Sequence, residues 1–348
     1  MIENMHTYDV HGIKILLKSS NKNLVKSANH QLKFFAKKYD ESMNFNIVIN
    51  DYLRKPLQDS YSVASDYYYY NDEFLDIPDH KLCFNISGNV HHYFIDSFVL
   101  PVNLIVQLAL QLKDKTLVHC AAVSYKSSNI ILPALGGIGK TTIVTEVMKK
   151  GGSLYGDDMC IIDKASNMYP YPIDFSVYHY HYKLLGIDRS ISSKVKSVFG
   201  NFLRLFDAIP IISWFTIRIR GKFFPECENI SPIDIYGKSK IAKPGKIDKM
   251  VYLGRHFNSK ESVEEVILSE TLAADRITSI LLSEWRDSIA FLQIYSAFSS
   301  NFSYLDMCNN IYDIVLAVSS VTELKDISID SKVNNEDYIT SLWQSLWQ

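Results

Sequence analysis

Cysteine is scarce and unpatterned here: five in 348 residues, at positions 83, 120, 160, 227 and 308, with no CxxC pair among them. An odd number at such spacings argues against a disulfide framework and predicts reduced thiols in a cytoplasmic protein. Cys120 and Cys160 read as small buried residues. An excess of charge of one sign is missing too. Thirty-six Lys and Arg against 38 Asp and Glu leave a formal net charge of −2, and the lysines are scattered rather than gathered into a stripe, which excludes an electrostatic nucleic-acid binder. Long hydrophobic runs are absent. The longest, from Phe98 to Leu112, is interrupted by Pro101, Asn103 and Gln107 and predicts a buried helix rather than a membrane span. The first 17 residues are polar at their start and carry acidic residues, unlike a secretory signal. There are no internal repeats, and 47% hydrophobic with 21% charged residues is ordinary for a globular protein of two or three substructures.

Against that plain background one stretch stands out, NIILPALGGIGKTT from Asn129 to Thr142. Ile130, Ile131 and Leu132 predict a buried strand, and Thr142 to Lys150, free of Gly and Pro with Ile143, Val144 and Val147 at helical spacing, predicts a helix. Between them Ala134, Leu135, Gly136, Gly137, Ile138, Gly139, Lys140, Thr141 and Thr142 fit the phosphate cradle GxxxxGK[ST] at every fixed position except the first, where Ala134 replaces glycine. In such a loop, backbone N–H groups wrap the phosphates, the lysine reaches the terminal ones, and the hydroxyl of Thr141 helps hold Mg²⁺. Lys140 and Thr141 fall in the first helical turn, where the helix dipole adds to the attraction.

Two further features flank the cradle. LVHCAAV ends an apolar run on His119, and SLYGDDMCIID carries Asp157 and Asp158 into a second strand. Neighbouring strand residues point to opposite faces, so the two carboxylates can share an ion and an acceptor only at a strand end, where the pleat relaxes. Phosphoryl transfer needs charge neutralisation, in-line positioning and a carboxylate to take the acceptor's proton, so each Asp has a task available. Asp157 is favoured as base and Asp158, with Thr141, as metal ligand. His119 is equally an ordinary core histidine or an active-site residue.

The order His119, Lys140, Asp157 and Asp158, with Lys149, Lys150 and Gly151 at the helix-to-strand corner, resembles the HPr kinase/phosphorylase family and its looser relatives, and more distantly ATP-dependent phosphoenolpyruvate carboxykinases. The resemblance is specific from about Leu117 to Asp163. It implies that Lys140 contacts the transferred phosphate, that Thr141 helps ligate Mg²⁺, that the aspartates divide base and metal duties, and that His119 assists. It also implies an assembly of several copies, and it includes kinases that modify a serine of ribosomally made peptides. The family's further metal-binding glutamate has no counterpart, since the similar segment HYKLLGI starts with His181.

Other candidates are weaker. His179 and His181 share a strand face with no completing ligand nearby, Lys238, Lys240, Lys243 and Lys246 form a lysine-rich loop whose AKPGK faintly resembles the phosphate-engaging basic segment of HPr kinases, and Arg218 and Arg220 alternate on one strand. The tyrosines from Tyr67 to Tyr70 lack the interleaved basic residues of a base-stacking surface and read as an edge strand or loop.

The expected fold class is α/β. A P-loop, HPr-kinase-like core with a mixed sheet is expected over 113–257, an α+β region over 1–112 and a helical region over 258–348, with helices at 261–268, 272–298 and 307–318 and an amphipathic tail carrying Trp343 and Trp347. The expected function is an ATP- and Mg²⁺-dependent kinase acting on a hydroxyl, the serine of a peptide or small protein, without nucleic-acid or membrane partners. The alternative is a nucleotide-binding regulatory module that performs no transfer.

Overall fold

A computed structural model describes residues 4–52, 61–62, 68–71, 73–178, 227–256, 262–333 and 335–347. The chain is α/β, with two large mixed sheets and helices packed on them. In the first sheet, Ile13–Ser19, Ile47–Asp51 and His91–Ile95 run parallel at the centre, and antiparallel strands extend both sides. Helix Lys22–Leu32, capped by the Asn21 side chain, and helix Val102–Leu110 supply its core with Leu24, Leu32, Leu104 and Ile105. Tyr69–Tyr70 is a two-residue strand next to the sheet's outermost strand, Tyr61–Ser62.

The second sheet carries the glycine-rich loop. Its axis is the eleven-residue strand Lys115–Tyr125, whose later half pairs antiparallel with Ser128–Pro133. On the other edge it pairs first with Met159–Asp163 and then with Ser153–Gly156. The two short strands form one antiparallel run, broken only at Asp157 and Asp158. Beyond Ser128–Pro133 the strands Lys249–His256 and Glu323–Asp330 follow in parallel, and Val263–Val266 closes the edge antiparallel.

One face of this sheet packs Val118, Cys120, Ile131 and Met250 against helices Glu270–Glu284 and Tyr304–Ser319. The other packs Val123, Leu132, Val251 and Leu253 against helix Lys140–Lys149 and the last helix, Asn335–Trp347. The apolar stripe of that last helix is Tyr338, Leu342 and Leu346 at four-residue spacing, all buried. Full burial of each leucine is worth roughly 1.5–3 kcal/mol, enough to dock the amphipathic tail on the body. Trp343 and Trp347 add edge contacts to Tyr125 at 5.1 and 5.6 Å between ring centroids.

Three expectations need correction. The segment expected to be helical at 261–268 contains the strand Val263–Val266, because its valines fit a sheet edge where Val263 faces Ile329. Glu323–Asp330 is also a strand, so the region read as helical gives two strands to the second sheet. The helix expected over 272–298 is two, Glu270–Glu284 and Arg286–Phe298, parted at the buried Trp285, whose backbone leaves the helical region and whose indole N–H donates to Asn103 Oδ1 at 3.2 Å. His179, His181, Arg218 and Arg220 lie outside the described residues.

Candidate functional site

The segment expected to cradle phosphate is a glycine-rich loop between a strand and a helix. Strand Ser128–Pro133 leads into the loop, Gly137 and Gly139 adopt positive φ of 79° and 111°, and the helix begins at Lys140. A positive φ suits glycine, so the loop can turn its amides inward without side-chain strain. Ala134, at the position of the missing first glycine, is wholly buried in the core beside Ile143. A methyl group is accommodated there.

The register explains why His119 is at the site. Cys120 pairs with Pro133, so His119 is level with the base of the loop. Lys140 Nζ lies 2.7 Å from His119 Nε2 and donates to the carbonyls of Ala134 at 2.6 Å and Leu135 at 3.3 Å. With the ammonium donating to Nε2, the imidazole proton belongs on Nδ1. That nitrogen is sealed from solvent with no hydrogen-bond partner, and it faces Asp158 Oδ1 at 3.6 Å and Glu284 Oε1 at 3.7 Å.

The aspartates occupy the break between Gly156 and Met159, where the backbone N–H of Cys120 donates to the Asp158 carbonyl at 3.0 Å. The interruption frees the pair from the alternation of a regular strand. Thr141 Oγ donates to Asp157 Oδ2 at 2.7 Å, while Asp158 turns toward His119. Asp157 is 5% exposed, whereas the side chain of Asp158 is 42% exposed. The hydroxyl expected to share a cation with Asp158 is therefore bonded to its neighbour.

Burial sets the electrostatics. It raises the Asp157 pKa to about 7, with Asp158 adding to the rise and Thr141 and Lys140 opposing it. Burial also lowers Lys140, against the pull of Asp158, Cys120, Asp157 and Glu284. His119 is lowered by burial and then by Lys140, with Asp158 and Glu284 opposing.

Among the described residues no group of three or more His, Cys, Asp or Glu could hold a metal ion by itself. A cradle Mg²⁺ does not need one, because it keeps waters and phosphate oxygens and takes one or two protein ligands. The buried Asp157 Oδ1 without a partner, next to the Thr141 hydroxyl, is a donor set that fits such an ion.

The lysine-rich loop builds structure. Gly245–Lys246 pairs with Asn167–Tyr169, the Lys246 ammonium donates to the Ala165 carbonyl, and the Lys238 ammonium lies 5.8 Å from the Phe34 ring centroid. Glu284 was not visible as a site residue in sequence. It ends a helix, where a carboxylate meets the negative end of the dipole, a signal legible only once that helix end is known. Among the described residues no helix is long and apolar enough to cross a membrane. No family model matches the chain, and neither does any curated protein.

Proposed function

We propose that this chain is an ATP-dependent kinase of the HPr-kinase-like P-loop class, transferring a phosphoryl group to the serine hydroxyl of a peptide or small protein. One observation carries the reading: a glycine-rich loop, its lysine, a histidine and two carboxylates converge around the end of the interior strand Ser128–Pro133, with Lys140 touching His119 and Thr141 touching Asp157. Neutralising and in-line positioning groups beside a reachable carboxylate are the parts phosphoryl transfer requires.

The contacts favour a division of labour opposite to the one read from sequence. Asp157, buried and bonded to Thr141, belongs with that hydroxyl on the cation side, where the two would hold Mg²⁺. The ion would supply neutralisation of the phosphate oxygens. Asp158, which solvent reaches, takes the proton of the acceptor hydroxyl as its oxygen forms the new bond to phosphorus and the nucleoside diphosphate oxygen leaves. Lys140 must first exchange its contacts with His119 and the two loop carbonyls for phosphate oxygens.

The test is transfer from γ-labelled ATP, with Mg²⁺, to HPr and to serine-bearing peptides encoded by neighbouring genes. It compares wild type with Lys140→Ala and Asp158→Asn. Label on an acceptor serine that disappears in both variants is the expected result. ATP binding by the wild type with no transfer to any acceptor would replace the kinase by a nucleotide-binding regulatory module.

A further inference from the structure

On strand Lys249–His256 the side chains facing the cradle helix follow the two-residue period as Val251, Leu253 and Arg255. The first two are buried in the cluster that contains Ile143, Val144 and Tyr338. Arg255 ends the row at the carboxyl edge of the sheet, the edge at which parallel strands of α/β folds present their ligands. This strand is the direct parallel neighbour of Ser128–Pro133, with Ile130 opposite Lys249. Arg255 thus stands on one side of the loop strand, and His119 with the aspartates stands on the other.

Its contacts point the same way. The guanidinium centre lies 4.6 Å from the ring centroid of Tyr338. That ring, only 2% exposed, comes within 2.9 Å of where a Cβ would stand on Gly139, the last glycine of the cradle. Arg255 is therefore one tyrosine ring away from the loop. Arg276 and Arg286 each meet an aspartate, but Arg255 has no carboxylate partner among the described residues, and its Nε is closed off from solvent without an acceptor. A buried guanidinium N–H without an acceptor costs free energy that an arriving anion can relieve. A planar guanidinium stacked on an aromatic ring is pre-organised for phosphate oxygens.

We propose that Arg255, held by Tyr338, is a second anion-binding arm of the cradle, contacting the phosphates of a bound nucleotide on the flank opposite His119 and Asp158. This rests on the reading of the loop as a phosphate site. The experiment is calorimetric titration of the full chain, with Mg²⁺, against ADP and separately against inorganic pyrophosphate, for wild type, Arg255→Met and Arg255→Lys, alongside ligand-free melts. Methionine keeps the packing on Tyr338 without the charge.

The expected result is ADP binding weakened roughly 10-fold or more in Arg255→Met, partly restored in Arg255→Lys, with pyrophosphate weakened in parallel and the melts nearly unchanged. Equal ADP affinity in wild type and Arg255→Met would overturn the inference and leave the loop reading intact. A loss confined to ADP would move Arg255 to the nucleoside and overturn the phosphate assignment. Loss of ADP affinity together with a lowered melting temperature in both Arg255→Met and Arg255→Lys would make Arg255 an anchor of the last helix and overturn the inference. A wild type that binds neither ADP nor pyrophosphate would remove the loop reading itself, and this inference with it.

Discussion

Asp157→Asn should make the ligand-free protein more resistant to unfolding as pH rises, because the native carboxylate is charged at the expense of stability. Its pKa is raised from 3.8 to about 7 by burial. In the unfolded chain the group ionises near its ordinary value, so between those two pH values the native state holds a proton that the unfolded state has released. Stability from this group is fully present below the lower value and is lost as pH climbs to the upper one. A shift of roughly three units at about 1.4 kcal/mol each sets a ceiling of about 4 kcal/mol, of which about 2.5 kcal/mol is lost between about pH 5 and pH 8. Asparagine keeps an acceptor for Thr141 but brings an amide that lacks a partner, a constant penalty of about 1–3 kcal/mol that does not vary with pH. The informative quantity is thus the pH dependence of the difference between variant and wild type. Chemical denaturation at a series of pH values, with a chelator present so that no cation occupies the site, should show the variant gaining about 2.5 kcal/mol on the wild type across that window and then levelling off. Parallel stability curves would refute the claim that burial outweighs Thr141 and Lys140 and holds Asp157 protonated in the folded protein.

Two further outcomes follow from the same geometry. Gly156→Ala should remove roughly 3 kcal/mol or more and abolish nucleotide binding, seen as insoluble or early-melting protein, because a Cβ at that position would lie 1.9 Å from the Met159 carbonyl oxygen and force open the turn holding both aspartates. Glu284→Gln should leave ADP affinity within about twofold while slowing transfer about tenfold, since it alters the carboxylate that faces His119 Nδ1 but nothing that touches the loop; an unchanged rate would make Glu284 a bystander.

The strand, glycine turn and helix around Lys140 were legible because their information is local: an apolar strand, glycines at the turn and a helix without breakers lie within about twenty residues, and local chemistry dictates each. The sequence placed Asp157 and Asp158 in a second strand, able to share a site only at a strand end; the break between Gly156 and Met159 that holds them off both strands was not read. Which aspartate meets which partner was not legible either. That choice depends on how the chain turns between Gly156 and Met159, and it ended with Asp157 on Thr141 and Asp158 beside His119. Glu284, Arg255 and Tyr338 were hidden because topology delivers them from distant strands and helices. The misread segment at 261–268 shows the ambiguity of a short apolar run, which the neighbouring strand Glu323–Asp330 resolves. The break at Trp285 carried neither glycine nor proline to announce it.

The arrangement of strands explains why one short loop can collect such dispersed groups. Lys115–Tyr125 runs against Ser128–Pro133, so it brings a residue from its middle, His119, to the loop's base, and its other edge holds the broken strand that carries the aspartates. Lys249–His256 runs with Ser128–Pro133, so it can offer only its carboxyl end, where Arg255 is the last residue on the face of Val251 and Leu253. Under the kinase reading, the antiparallel flank, with its histidine and solvent-reachable carboxylate, is the side on which proton transfer to or from an acceptor can occur, whereas the parallel flank carries a planar guanidinium whose geometry suits holding phosphate. Chemistry and holding are thereby separated across the width of one strand. Substitutions on the first flank should change the rate of transfer before affinity, and substitutions on the second should change affinity before rate.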